Sequence, residues 1–352
     1  MSHRNSLQKA RDFIRAQGGQ VTPLSITEEE LNPEAQDDLS LQAYPLEPTS
    51  NCYKVDYNYP EDANYSEFSF FEDGRQRTLH IGIIPVKYGK QDVLIPVHYF
   101  VVASVILQRE NRELKVWEKA KIRQGILVEK TQIPDQGILS EFENSGLEIV
   151  ATEAEGGDYY ALRSRALQKA KTLRLEVEDS LIEEWRKSKD AKDKFLIVDG
   201  TLMNFRNEQN VQQCIGVSKS FGSRYFQVSE NNRIMQMKEF ERSWTFRFHA
   251  PEDDIRKGAR ERISWYLRLR SRINSEPEFG LIRVEISRAY VGKEVEMAER
   301  FSKSLLSERL PTSYPYPRWD KHLYPIRECE NYLSSVMPSI ETINASVKGI
   351  VP

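Results

Sequence analysis

The stretch Phe195-Leu-Ile-Val-Asp-Gly200 decides the fold, because four apolar residues in a row stop at an acidic residue and a glycine. A short apolar run of this kind predicts a strand that is buried on both faces, as in the centre of a mixed or parallel sheet. Asp199 then stands at the carboxyl end of the strand, the edge of an α/β sheet where ligands and metal ions commonly bind. The alternative is that Asp199 and Gly200 form only a turn.

The segment before this strand, residues 162–185, has the apolar spacing of an amphipathic helix. A projection at 100° per residue places Arg174 and Glu178 inside the apolar arc. A carboxylate on a buried face has to be paired or has to bind a cation. Two interpretations stay open for Glu178, a structural ion pair with Arg174 at i,i+4 and a cation ligand.

Further strands and helices alternate on both sides of this centre, which predicts an α/β fold with a mixed sheet flanked by helices. The predicted strands are residues 78–86, 93–107, 211–217, 225–228, 244–248, 264–269 and 281–286, and the predicted helices are 110–124, 292–307 and a segment after Pro317.

The chain divides into three regions by composition. Residues 1–64 form an acidic N-terminal extension, with a short amphipathic helix at 5–17 and a linker or loosely packed arm at 18–64. Residues 65–335 form the main domain, and residues 336–352 form a C-terminal tail. Residues 1–72 carry 13 acidic and 5 basic residues, whereas residues 221–330 carry 17 acidic and 21 basic residues. The net charge of −3 therefore does not exclude a locally basic groove that binds nucleic acid.

The composition excludes several classes of protein. The apolar fraction is 39%, and no apolar run reaches the roughly 20 residues of a membrane-spanning helix. The N-terminus lacks the apolar core of a signal peptide, so we expect a cytoplasmic protein without a membrane partner. The cysteines lie far apart, at Cys52, Cys214 and Cys329, which predicts neither a disulfide framework nor a zinc site of the CxxC type.

Asp73, Glu178 and Asp199 are acidic groups on three separate predicted elements. Asp73 follows the aromatic run at residues 68–71 and, taken alone, indicates a turn before Gly74. If the three groups converge, carboxylates about 4 Å apart repel by roughly 4 kcal/mol at an effective dielectric constant near 20, and a divalent cation removes that repulsion. Oxygen ligands suit Mg²⁺ or Mn²⁺, and a pair of such ions can hydrolyse phosphodiesters.

Other candidate residues could contact a phosphate or move a proton. Tyr314 and His322 flank a proline-rich loop, and either could contact a scissile phosphate or transfer a proton; a loop tyrosine and a core histidine are the alternative. Lys219 follows a short strand and could reach a phosphate. Arg268 and Arg270 share one face of a predicted strand, which could track phosphates or be a solvated surface.

In chain order these residues lie in motifs that resemble the NurA nuclease family over about residues 65–335. The motifs are Asp73-Gly, Arg174-x-x-x-Glu178, Leu196-Ile-Val-Asp199-Gly-Thr-Leu, Gly216-Val-Ser-Lys219, Trp265-Tyr-Leu-Arg-Leu, Arg283-Val-Glu-Ile, and Tyr314-Pro-Tyr-Pro with His322 downstream. The resemblance implies an RNase H-like fold and a DNA end nuclease that uses two Mn²⁺ or Mg²⁺ ions. It also implies a homodimer docked on a HerA-type hexameric ATPase that translocates DNA, in end resection during DNA repair or in antiviral defence.

By the same resemblance, the metal ligands are Asp73, Glu178 and Asp199, with Tyr314 and His322 completing the catalytic set. Lys219 then lies near the substrate phosphate. The family's first motif usually reads Asp-Gly-Ser, and Arg75 in its place favours a second hypothesis, a catalytically degenerate adaptor that binds a translocase and DNA. A third is an RNase H-like integrase or other nuclease unrelated to NurA. The helix at residues 5–17 is the candidate docking element, with packing on its own domain or across the homodimer as the alternative.

Overall fold

The chain folds as an α/β protein around one large mixed sheet. The computed structural model describes residues 11–12, 14–16, 18–21, 43–59, 61–88, 91–132, 148–152, 158–205, 208–219, 225–248, 261–272, 275–311 and 319–348. Within these residues the sheet has 14 strands, and helices pack on both of its faces. The predicted α/β class is therefore confirmed.

The strands are β1 (Gln20–Val21), β2 (Ala43–Pro45), β3 (Tyr53–Lys54), β4 (Phe70–Tyr88), β5 (Gln91–Glu110), β6 (Glu113–Val116), β7 (Lys121–Val128), β8 (Glu148–Ala151), β9 (Leu196–Asp199), β10 (Cys214–Ser218), β11 (Glu241–Arg242), β12 (Phe246–Phe248), β13 (Arg262–Arg268) and β14 (Leu281–Ser287). The described residues 11–12 and 14–16 are helical, as predicted for that segment. The later helices are α1 (Tyr159–Lys187), α2 (Glu208–Val211), α3 (Val228–Met235), α4 (Glu294–Glu308), α5 (Tyr324–Val336) and α6 (Ile340–Lys348). The main path of the sheet runs in the order β2-β12-β13-β14-β10-β9-β4-β5-β7-β8.

The predicted apolar strand, β9, lies in the middle of this order. It runs parallel to β10 on one side and to β4 on the other, and its three apolar residues are almost fully buried. β9 and β4 pair only over residues 196–198 and 70–72, because β9 ends at Asp199 while β4 continues to Tyr88. Beyond residues 72 and 198 the two strands are no longer paired, and the next residues on them are Asp73 and Asp199.

The two faces of the sheet are covered by different helices. On one face, α1 packs its buried residues Leu173 and Val177 against β5 and β7, and its C-terminal half against β9. On the other face, α4, α5 and α6 join the largest apolar cluster, which includes Phe71 and Ile197. Side chains alternate between the two faces along each strand, so neighbouring residues of β4 and β9 face different helices.

Three local predictions are wrong. Residues 110–124 do not form a helix, because residues 113–116 and 121–128 pair with β5 as β6 and β7. Residues 225–228 do not form a strand, since Gln227 is the N-cap of α3 and Val228 begins that helix. Asp73 and Gly74 do not form a turn but lie inside β4, opposite Val105 and Ser104 of β5.

The described part of the N-terminal region is joined to the main sheet. β2 pairs with β12, β3 pairs with β11, and Val55 and Tyr57 between them and β4 are buried. These residues are therefore packed and do not form the predicted linker or loose arm. Ile14, from the predicted helix at 5–17, is fully buried in the largest apolar cluster. In the described ranges, no helix is both long and apolar enough to cross a membrane.

Candidate functional site

Asp73 and Asp199 come to lie side by side because β4 and β9 are parallel neighbours. The last paired residues are Glu72 and Val198, so the next residue on each strand is the aspartate. Alternation along the strands turns both aspartates toward the face that carries α5. Gly200 then has a φ of 113°, a backbone conformation that favours glycine, and the chain turns away from the sheet. The predicted position of Asp199 at the end of a central strand is confirmed.

Helix α5 adds Glu330 to the two aspartates. Each of Asp73, Asp199 and Glu330 offers a carboxylate oxygen, and these oxygens lie within 4.8 Å of one another. Glu330 is a residue that the sequence argument missed. The sequence does contain a pattern that could have indicated it. Ile326, Cys329 and Leu333 are apolar at helical spacing and are buried on α5, and Glu330 borders that apolar face. Three carboxylates at this separation can hold a metal ion.

Lys219 supplies a positive charge to the same cluster. It follows β10, is only 8% exposed, and its Nζ lies 3.0 Å from Asp199 and 3.5 Å from Glu330. Burial alone would lower the pKa of Lys219, but the charges of Asp199, Glu330 and Asp73 outweigh burial and raise it. The side chain therefore stays an ammonium group held among carboxylates.

The pKa of Asp73 is raised well above its ordinary value. The largest cause is burial, followed by the negative charge of Asp199, while Lys219 acts in the opposite direction. A buried carboxyl group beside a second one favours either a proton or a cation. A divalent ion bound here would compete with that proton and would offset the repulsion between the carboxylates.

Glu178 approaches the cluster from the opposite face of the sheet. It is buried on α1, as predicted, and its Oε1 lies 3.0 Å from Nη1 of Arg174. Burial raises the pKa of Glu178 to about 7; Arg174 lowers it and the charge of Asp199 raises it further. The structure thus contains the Arg174–Glu178 ion pair, one of the two interpretations of Glu178 from the sequence. Among the described residues, Glu178 is not part of the set whose oxygens lie within 4.8 Å.

Glu72 is a second buried carboxyl group on the α1 face. It is fully buried, and its Oε1 accepts a hydrogen bond of 2.6 Å from the hydroxyl of Ser104. Burial and the nearby charge of Glu178 raise its pKa well above the usual range. Behind the Asp73 cluster there is thus a pair of acidic groups, Glu72 and Glu178, on the other side of β4.

His322 borders the cluster through Glu330. It follows a 3₁₀ helix at Trp319–Lys321, is 3% exposed, and its Nδ1 lies 3.8 Å from Oε1 of Glu330. Arg327 also contacts Glu330, at 2.7 Å. Tyr314, the other residue predicted in this region, lies outside the described residues.

Arg268, the last residue of β13, and Arg270, which follows that strand, do not form the predicted exposed strand face. Arg268 is fully buried, and its guanidinium donates hydrogen bonds to the backbone carbonyls of Pro277, Phe279 and Met235. Burial is the main cause that lowers the pKa of Arg268 to about 10. Arg270 lies over the ring of Trp319, at 4.9 Å from its centroid. Arg268 therefore holds backbone segments together. It lies neither on a solvated face nor on a face that could contact phosphates.

The structure thus brings together Asp73, Asp199 and Lys219 of the predicted residues, adds Glu330, and places Glu178 behind them. No protein-family model and no curated protein matches this chain.

Proposed function

We propose that the protein is a metal-dependent DNA nuclease with an RNase H-like core that hydrolyses phosphodiester bonds at DNA ends. The observation that carries this proposal is the cluster of Asp73, Asp199 and Glu330 on two adjacent parallel strands and a helix. Carboxylate oxygens are the ligands that Mg²⁺ and Mn²⁺ prefer, and these ions serve in phosphodiester hydrolysis.

The residues present fit one or two such ions. Asp73, Asp199 and Glu330 would hold the metal, which when bound supplies positive charge and lowers the pKa of water. Glu178 lies on the other face of the sheet with its Oε1 paired to Arg174 at 3.0 Å, so it would act on the metal through its nearby negative charge and not as one of the three grouped ligands. Lys219 would bind a phosphate oxygen beside the metal. His322, whose Nδ1 lies 3.8 Å from Glu330, would move a proton at its ring nitrogen.

The partners we propose are DNA, a second copy of the chain and a HerA-type translocase, as the motif resemblance to the NurA family implies. With a net charge of only −3 and no strong basic excess, the protein is expected to bind DNA weakly by itself. A translocase that encircles DNA would raise the effective concentration of ends at the site. The burial of Ile14 supports packing of this part of the predicted helix on its own domain over its use as a docking element.

Replacement of Asp199 by asparagine tests the proposal. We expect Asp199→Asn to cleave linear and single-stranded DNA with Mn²⁺ at least about 100-fold more slowly than the wild type. Loss of a residue that only supports a metal ligand costs up to about 100-fold, and loss of a ligand itself should cost at least as much. Asp56→Asn, at an exposed position, is the matched control and should cleave like the wild type. The proposed nuclease activity would be contradicted if the wild type left DNA intact with Mn²⁺, both with and without its translocase.

A second candidate function is a catalytically degenerate adaptor that binds DNA and a translocase. The ammonium group of Lys219 favours it, because a cation already neutralises part of the carboxylate cluster. Arg75, whose Nη1 donates a 2.7 Å hydrogen bond to Ser334 of α5, stands where the NurA motif has serine. Titration with Mn²⁺ in a calorimeter separates the two functions, since an adaptor should show no heat that depends on Asp199 and Glu330.

A further inference from the structure

The carboxylate cluster contains a cation of its own. The Nζ of Lys219 lies 3.0 Å from both oxygens of Asp199 and 3.5 Å from Glu330. The lysine backbone is also held, because Nζ of Lys321 donates to the carbonyl oxygen of Lys219 at 3.1 Å. The buried ammonium is thus a built part of the site and not a surface charge that happens to lie nearby.

A divalent ion and this ammonium need the same oxygen atoms. A metal ion held by the oxygens of Asp199 and Glu330 would lie within a few ångströms of Nζ if Lys219 kept its place, because Nζ is already 3.0 and 3.5 Å from those residues. Two positive charges at that distance, in a buried site, repel strongly. The three carboxylates therefore cannot bind the metal ion and the ammonium group together with the affinity that each would have alone.

We infer that Lys219 is an internal competitor of the metal ion, whose ammonium group leaves the carboxylates when the metal binds and is then free for the substrate phosphate. The inference rests on the proposed metal site and assigns a regulatory role within it. In the metal-free protein Lys219 stabilises the packed carboxylates, and in the loaded protein it becomes a phosphate ligand. Metal affinity is thereby weaker than the carboxylates alone would provide.

The affinity of the full-length chain for Mn²⁺ tests the competition directly. Lys219→Met removes the charge and keeps most of the side-chain length, so we expect Mn²⁺ to bind about tenfold more tightly, or more, than to the wild type by calorimetry. Lys187→Met, at an exposed position on α1, is the matched control and should leave the affinity unchanged. An equal or weaker affinity in Lys219→Met overturns the inference, and so does a variant that binds no Mn²⁺.

A measurement on the wild type decides the question if Lys219→Met does not fold. An amine-acylating reagent followed by peptide mass spectrometry reports how readily each lysine reacts. We expect saturating Mn²⁺ to increase the labelling of Lys219 several-fold and to leave that of Lys187 unchanged; unchanged or reduced labelling of Lys219 overturns the inference. Tighter Mn²⁺ binding by Lys219→Met, together with a wild-type protein that leaves DNA intact, would contradict the proposed nuclease activity and support the competition.

Discussion

The carboxylate of Glu178 lies against Gly74, in the space where any other residue would place its Cβ. Nη1 of Arg174, which lies beside Glu178, also donates a 3.3 Å hydrogen bond to the carbonyl oxygen of Gly74. The absence of a side chain at Gly74 therefore lets α1 approach β4 and brings a carboxyl group next to Asp73 from the other face of the sheet. This close approach explains why an Asp-Gly pair occurs inside a long strand, where glycine ordinarily costs stability.

Gly74→Ala should destabilise the protein and disturb the site. The new methyl group would overlap the carboxylate of Glu178, so we expect a loss of about 1–3 kcal/mol in the free energy of unfolding, measured by urea denaturation. In a Glu178→Ala background the same substitution should cost much less, because the overlapping group is gone. An equal cost in both backgrounds would show that the contact with Glu178 is not the cause.

Glu178→Gln should remove one loss of stability that the wild type undergoes as the pH rises from 4.5 to 8. The pKa of Glu178 is raised from 4.5 to about 7 in the folded protein, so the folded chain binds the proton more tightly than the unfolded chain. The stability that this group contributes is full below pH 4.5 and is lost as the pH rises through 7. In metal-free buffer, Glu178→Gln should therefore gain on the order of 3 kcal/mol relative to the wild type between pH 4.5 and 8.

Urea denaturation of both proteins across this range gives the difference curve. The comparison is needed because the lowered pKa of His98 acts in the opposite direction over part of the same range. A constant difference between the two proteins at all pH values would contradict the raised pKa of Glu178.

The features predicted correctly from the sequence are those with a strong local pattern. The apolar run before Asp199 and the apolar arc of α1 around Glu178 each place one acidic residue without knowledge of the rest of the chain. The segment at 110–124 lacked such a pattern. Its strands exist because Leu114 and Val116 pair with Arg109 and Leu107 of β5, and this pairing is a tertiary contact.

The parts of the site that were missed depend on contacts between distant segments. Glu330 meets Asp73 across more than 250 residues, and only the packing of α5 on the sheet brings them together. Arg268 was placed on an exposed face because its strand alternates polar and apolar residues. β13 lies between β12 and β14 with both faces covered, so its polar residues satisfy backbone carbonyls inside the protein.

His98→Leu should stabilise the protein, and more so in acid. His98 is fully buried opposite His80, and neither of its ring nitrogens has a hydrogen-bond partner within the described ranges. Burial, together with the charge of His80, lowers its pKa from 6.5 to about 3. The wild type therefore gains stability as the pH rises from 3 to 6.5, because the unfolded chain binds the proton that the folded chain refuses.

We expect His98→Leu to add about 1–3 kcal/mol at pH 8, by removing an unsatisfied polar group. The gain should be about 2 kcal/mol larger at pH 5, where the unfolded wild type is stabilised by protonation. Urea denaturation at the two pH values measures both effects. A loss of stability at both values would show that the histidine ring is satisfied in the folded protein.

The chain that leaves Asp199 is held by Glu285 of β14. Glu285 is fully buried and accepts hydrogen bonds from the hydroxyl of Thr201, at 2.8 and 2.9 Å, and from the backbone N–H of Leu202, at 2.8 Å. Arg283 pairs with the same carboxylate at 2.6 Å. Because Gly200 alone separates Thr201 from Asp199, we expect these bonds to help hold the backbone of Asp199 in place.

Thr201→Val keeps the shape of the side chain and removes its hydroxyl. We expect a loss of about 1–2 kcal/mol in the free energy of unfolding and a Mn²⁺ affinity about tenfold weaker than in the wild type, since Asp199 loses part of its support. Thr172→Val on α1, where the hydroxyl donates to the carbonyl oxygen of Gln168 on the same helix, should leave the affinity unchanged. If Thr201→Val lost stability but bound Mn²⁺ like the wild type, Glu285 would stabilise the loop without positioning Asp199.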